Sequence, residues 1–158
     1  MFSMTKRADY ALLALSYLAH AAAEEAGRQV NTKEIAEQFE LPVELLAKLL
    51  QTMARAGLVA SYAGPTGGYR LLRSPKSITV AEVVHLVDGP LSLMHCSNGQ
   101  GDTCKQYDRC TIRDPLAEIE TRVRLLLEEI TLAEISLPAA PRFEDFTQRS
   151  FAVGLPVG

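Results

Sequence analysis

Residues 31–57 read NTKEIAEQFELPVELLAKLLQTMARAG, and the punctuation of this stretch decides the fold. Asn31-Thr32-Lys33-Glu34 has the form of a capping box, with Asn31 placed to cap a helix and Glu34 to reach back to it. Val30 and Ile35 stand where a hydrophobic staple needs them. The short helix is expected to end near Phe39. Glu40-Leu41 makes a tight break, and Pro42 suits the first position of a new helix, where a missing N–H costs nothing. Over 42–56, Leu45, Leu46, Leu49, Leu50 and Met53 form an apolar stripe at helical spacing. Glu44, Lys48, Gln51 and Arg55 lie along another face, and Gly57 stands where a helix commonly closes. Two short helices joined by a brief turn, the second with a polar outward face, match a helix-turn-helix. Taken alone, the pair also describes a helical hairpin with one solvated face.

The flanking segments separate those two readings. Residues 5–23 are rich in Ala and Leu, hold no Gly or Pro, and predict a helix buried on more than one face. Residues 58–62 and 69–72 read as strands around the turn Ala63-Gly64-Pro65-Thr66-Gly67-Gly68. Three helices followed by a hairpin predict a mainly α fold with a small β-hairpin, a winged helix-turn-helix. In that architecture the second helix of the pair can enter the major groove of double-stranded DNA while the hairpin touches backbone or minor groove. Lys48 and Gln51 can reach base edges, and Glu44 can accept from cytosine. Arg55, near the helix end, is better placed for phosphate. Thr32 and Lys33 at a helix N-terminus suit phosphate as well. Thr66, Tyr69 and Arg70 are the expected contacts from the wing.

Charge supports this orientation. Residues 1–78 carry nine Lys/Arg against seven Asp/Glu, and residues 79–158 carry seven against twelve, so the first half is the better partner for an anion. The chain divides into an expected winged domain over 1–78, a second unit over 79–137, and a flexible tail over 138–158. In the second unit, Thr79 and Glu82 repeat the capping logic for a helix that stops at Gly89-Pro90. After Asp114-Pro115, Leu116, Ile119, Val123, Leu126 and Ile130 step three, four, three, four. That narrow heptad seam predicts a long helix pairing with its own copy in a homodimer. Thr131-Leu132-Ala133-Glu134 starts one more helical turn.

Between these helices lie all three cysteines, Cys96, Cys104 and Cys110, in a C-x7-C-x5-C pattern among Gly, Asn, Asp, Thr and Lys. An odd number of thiols is not used up by internal disulfides, and it favours a reducing, cytoplasmic compartment. Close thiols there point to an iron–sulfur cluster or a metal ion. Lys6-Arg7 ahead of the apolar run 11–18 has the outline of a signal peptide, but Asp9 interrupts it and the segment supplies the first helix of the winged fold. No run is long enough to span a membrane. No phosphate loop, nucleophile elbow or recognisable carboxylate pair argues for an enzyme, and an electron-transfer protein would leave the helix-turn-helix unexplained.

The winged helix, three-cysteine loop and dimer helix together resemble the bacterial winged-helix iron–sulfur regulator family that includes IscR, NsrR and RirA. The resemblance covers residues 1–137. It is carried by Ile35-Ala36-Glu37, Gly64-Pro65-Thr66-Gly67-Gly68-Tyr69, Val80-Ala81-Glu82-Val83-Val84 and the three cysteines. Gly89-Pro90-Leu91, Cys96-Ser97 and Ile130-Thr131-Leu132-Ala133-Glu134-Ile135 look closest to the regulators of SUF iron–sulfur assembly. The resemblance implies a repressor that senses cluster status, iron, oxygen or nitric oxide through a two-iron or four-iron cluster, and a palindromic operator. Three thiolates leave a fourth ligand open. Where IscR-like members have a His, three residues after the last Cys, this chain has Arg113, which cannot ligate. Asp9 matches the position from which NsrR-like members donate an Asp across the dimer, although an acid at a helix start also serves the helix dipole. His95, next to Cys96, is a weaker alternative, because neighbouring residues seldom reach one centre together. His20 and His85 read as ordinary helix residues. In the wing, Ala63 stands where the family often has an Arg, so that contact is either missing or shifted to Arg70 or Arg73. The competing reading keeps the regulator and uses the cysteines as a thiol redox switch or zinc site, although zinc favours tighter spacings.

Overall fold

The computed structural model describes residues 4–94 and 104–136. His95, Cys96 and the expected tail over 138–158 lie outside the described residues.

The first helix, α1 (Lys6–Glu24), is capped by Thr5, whose hydroxyl accepts from the Arg7 and Ala8 N–H groups. Ala8, Ala11, Ala14, Leu15, Leu18 and Ala21 are buried, and the small side chains let neighbouring elements come close. The helix packs against α3 (Val43–Arg55), β2 (Gly68–Leu71), α4 (Val80–Asp88) and α6 (Leu132–Ile135), so it is the central strut of the core, buried on more than one side as its composition predicts.

Asn31 caps α2 (Thr32–Phe39) by accepting from the Glu34 N–H at 2.8 Å. The reciprocal arm of the expected capping box is not made. The Glu34 carboxylate instead takes the Tyr17 hydroxyl at 3.0 Å and the Arg28 guanidinium at 2.6 Å, which ties α2 to α1. The helix ends on Glu40 in the left-handed conformation (φ 53°, ψ 43°). Pro42 is the N-cap of α3 rather than its first residue, and Val43 begins the helix. Leu46, Leu49, Leu50 and Met53 are buried along one face. Gly57, at φ 75°, reverses the chain after α3, and the Leu58 N–H returns to the Met53 carbonyl at 3.0 Å.

Strands β1 (Val59–Tyr62) and β2 pair antiparallel, with Val59 opposite Leu71 and Tyr62 opposite Gly68. A third stretch joins them: Val30 and Tyr69 exchange two backbone hydrogen bonds, of 3.0 and 2.8 Å. This bridge requires Gly68, where an added Cβ would lie 2.5 Å from the Val30 carbonyl oxygen.

Thr79 caps α4 through the Glu82 N–H, and again the Glu side chain is used elsewhere. Glu82 meets Arg73 at 2.5 Å, and Arg73 also donates to the Ser77 carbonyl. Among the described residues, both arms of a capping box are present only at α6, between Thr131 and Glu134. Ile78–Val80 pairs with 130–132: the Val80 N–H donates to the Ile130 carbonyl, and the Leu132 N–H to the Ile78 carbonyl. Val80, Val83, Val84, Val87 and Leu132 therefore belong to the same core as Leu15, Ile35 and Leu46.

Helix α5 (Arg113–Glu129) is different. It packs on α4 but buries none of its residues fully. Leu116 and Val123 are half-buried, while Ile119 and Leu126 stand 48% and 40% exposed. The predicted seam thus lies open within one chain over residues 116–126. Ile130 departs from it. It follows the helix in extended backbone and packs on the core, because its carbonyl is engaged by Val80.

Candidate nucleic-acid interface and metal centre

Helix α3 presents two chemically distinct faces. Its buried stripe fixes the helix against the core, which leaves Glu44, Lys48, Gln51 and Arg55 exposed together on the outside. Among the described residues, Lys48, Gln51 and Arg55 have no ion-pair or side-chain hydrogen-bond partner, so their polar groups are available to a ligand. Val43, 47% exposed at the first position of α3, is an apolar residue left open beside this face that the sequence reading does not single out. An exposed apolar residue at that point suits a thymine methyl group. Thr32 is the first residue of α2, and Lys33 beside it is exposed, 3.7 Å from Glu37.

The wing residues separate into two groups. Thr66 is exposed at the tip. Tyr69 is half-buried against the core, and Arg70 stacks its guanidinium on the Tyr62 ring at 4.7 Å. Arg73 is committed to Glu82 and Ser77. The alternation of the strand separates the neighbours Tyr69 and Arg70 onto opposite faces of the hairpin.

Of the cysteines, Cys104 is exposed and Cys110 half-buried, both as free thiols. They flank a single 3-10 turn, Tyr107–Arg109, closed by hydrogen bonds from Tyr107 N–H to the Cys104 carbonyl and from Arg109 N–H to Gln106. The residues between them are exposed, so the turn has no apolar core of its own. Among the described residues no three His, Cys, Asp or Glu side chains come together as a metal site. The donor chemistry nevertheless fits an iron–sulfur group: soft, accessible thiolates brought to one turn. Arg113 follows at the start of α5, stacked on Tyr107, and offers no ligand atom.

Helix α5 anchors the chain once ahead of the cysteine segment and once within it. Glu120 accepts from the Leu93 N–H at 2.8 Å, and Arg113 donates to the Tyr107 carbonyl at 3.4 Å. Asp9 lies in the first turn of α1, exposed. Near it the Asp88 carboxylate accepts from the Thr5 hydroxyl at 2.7 Å, joining the start of α1 to the end of α4, where the chain leaves toward the cysteines. His20 is exposed, 3.5 Å from Glu24, and His85 is exposed on α4. No helix among the described residues is long and apolar enough to cross a membrane.

Residues 4–137 match the model of the Rrf2 family, described as an iron-dependent transcriptional regulator. The chain is 32% identical over 149 residues to an rrf2-like HTH-type transcriptional regulator of Rhodobacter capsulatus, covering 90% of this chain and 99% of that protein. It is 28% identical over 134 residues to the HTH-type transcriptional regulator NsrR of Shouchella clausii, covering 85% of this chain and 88% of that one. Among solved structures, T. potens IscR superposes with a TM-score of 0.65 at 23% identity over 99% of this chain and 94% of that one. CymR of B. subtilis superposes with a TM-score of 0.64 at 22% identity over 86% and 97%. At those identities the structural likeness establishes the winged-helix fold.

Proposed function

The chain belongs to the Rrf2 family of transcriptional regulators, and from that premise we propose that it is a homodimeric, cytoplasmic repressor of iron–sulfur assembly genes. It binds a palindromic operator in double-stranded DNA and senses cluster status, with iron, oxygen or nitric oxide as the signal. The observation that carries the DNA-binding part is the outer face of α3. Glu44, Lys48, Gln51 and Arg55 share it, held rigid by the buried stripe behind them. A recognition helix needs that combination, because hydrogen-bonding groups must arrive at base edges pre-oriented. Thr32 and Lys33 at the start of α2 contact phosphate, and Thr66 carries the wing contact. Tyr69 and Arg70 shape the wing and meet the backbone only at its margin.

The sensing part rests on the thiols. Cys96, Cys104 and Cys110 hold a two-iron or four-iron cluster, with Asp9 of the partner subunit as fourth ligand; the exposed carboxylate on α1 supports that role. When bound, the cluster supplies the redox- and nitric-oxide-sensitive chemistry. The chain's own part is mechanical. Glu120 fastens Leu93, ahead of the cysteine segment, and Arg113 fastens Tyr107, within it, to α5, so a change of order in that segment alters where α5 sits. The open seam Leu116, Ile119, Val123 and Leu126 pairs with its copy, and α5 thereby sets the distance between two α3 helices. Half-sites on DNA are about 34–36 Å apart, so a small change in that distance decides binding.

The test is anaerobic purification with an absorption spectrum and iron and sulfide assays, followed by selection of bound duplexes from a random pool. A brown protein that bleaches in air and enriches a palindrome is the expected result. A colourless, iron-free protein that still enriches a palindrome would leave a regulator using its cysteines as a thiol switch or zinc site.

A further inference from the structure

Arg113 stands in the first turn of α5, facing the positive end of the helix dipole, which is the unfavourable end for a cation. It is nevertheless held there by three contacts. Its guanidinium carbon lies 4.7 Å from the Tyr107 ring centroid, Nη1 donates to the Tyr107 carbonyl at 3.4 Å, and Nε donates to Asp114 Oδ1 at 2.9 Å. Tyr107 is in turn bonded to the Cys104 carbonyl and belongs to the turn that ends at Cys110. Asp114 offsets part of the charge, but its side chain is 82% exposed, whereas that of Arg113 is 34% exposed. The guanidinium is pushed above the ordinary arginine range, first by its hydrogen bond to Asp114 and then by that carboxylate's charge.

We propose that Arg113 is a positioning cation for the cysteine site, clamped over Tyr107 so that one fixed positive charge is held against the turn that joins Cys104 to Cys110 and draws anionic groups to it. The inference deepens the cluster reading and rests on it for its biological meaning. A site built from several thiolates accumulates negative charge, and a cation that cannot ligate offsets that charge without competing for iron. A lysine there would keep the charge but lose the planar stack and the fork that hold it in place.

The experiment compares alkylation of reduced, metal-free protein by neutral iodoacetamide and anionic iodoacetate, read at Cys110 by peptide mass spectrometry. The ratio of the two rates cancels the thiolate fraction and leaves the local potential. Arg113→Gln is expected to lower the iodoacetate-to-iodoacetamide ratio about three-fold, the size expected for one charge a few ångströms away in water. Arg113→Lys keeps most of the ratio, and Asp114→Asn, at an exposed site that tolerates change, raises it. Unchanged ratios in Arg113→Gln and Asp114→Asn would overturn the inference. In cluster-loaded protein, Arg113→Gln shifts the midpoint potential to more negative values. A wild-type protein that takes up no iron removes the cluster reading, while the alkylation ratios still decide the role of Arg113.

Discussion

Lys48 and Gly68 show how differently single residues act in this molecule. Lys48 sits on the exposed face of α3 and supports no core contact, so Lys48→Ala is expected to leave the melting temperature unchanged. It should weaken operator binding about tenfold in fluorescence anisotropy at moderate salt, within the range for a lost base contact. Equal affinity would remove Lys48 from the DNA face. Gly68 touches no ligand but lies under the Val30 backbone, with 2.5 Å between its would-be Cβ and the carbonyl oxygen. Gly68→Ala must open the Val30–Tyr69 bridge, and a loss of about 1–3 kcal/mol is expected in urea unfolding. Tyr17 gives a pH signature. Burial, then its hydrogen bond to Glu34, raises its pKa above the ordinary value of 10.0. The folded value exceeds the unfolded one, so the neutral phenol's contribution to stability is complete below the unfolded pKa and is lost as pH rises through the folded one. In a spectrophotometric titration of the five tyrosines, Tyr17→Phe should remove the phenol that ionises later than an ordinary tyrosine. Loss of an ordinary one instead would contradict the Tyr17–Glu34 bond.

At the scale of elements, α5 and the helices capped by Asn31 and Thr79 carry the lesson. Helix α5 has no fully buried residue, yet it repeats Leu116, Ile119, Val123 and Leu126 at heptad spacing. Ile119→Glu with Leu126→Glu is therefore expected to convert dimer to monomer in sedimentation velocity while circular dichroism stays helical. Unfolding of the chain, or an unchanged dimer, would refute the seam. Ile130 was read as the next rung, but the helix has already ended there and its carbonyl belongs to Val80. The capping boxes at Asn31 and Thr79 were legible only by half. Each cap forms, but Arg28 and Tyr17 claim Glu34, and Arg73 claims Glu82, since a charged partner outbids a single backbone N–H. Those partners are three-dimensional neighbours that local spacing does not reveal.

For the whole molecule, the net charge of −3 means that attraction to DNA must come from one face. Binding should weaken steeply with salt, as released counterions require, and Lys33→Ala should reduce that slope by about one unit rather than change sequence preference. An unchanged slope would take Lys33 off the phosphates. The proposed sensing role is tested at the same scale. Cys104→Ser and Cys110→Ser are each expected to lose most of the iron bound by the wild type after reconstitution, with the fold intact by circular dichroism. Serine variants that retain full iron would move the metal away from this turn.

The sequence by itself determined the helix order, the hairpin, the two faces of α3 and the clustering of the thiols, because each follows from periodicity, caps and turn residues close together along the chain. Only the tertiary structure decided that Ile78–Val80 pairs with 130–132 and draws α4 and α6 into the winged core. Likewise it alone decided that Tyr69 is half-buried while Arg70 stacks on Tyr62, and that α5 holds Leu93 ahead of the cysteine segment and Tyr107 within it through Glu120 and Arg113. The pairing of Ile78–Val80 with 130–132 and the Glu120–Leu93 bond join groups far apart in sequence, whereas Arg70 with Tyr62 and Arg113 with Tyr107 are nearer neighbours. Their partners are chosen by which faces remain unsatisfied once the helices have packed, and no local pattern encodes that choice.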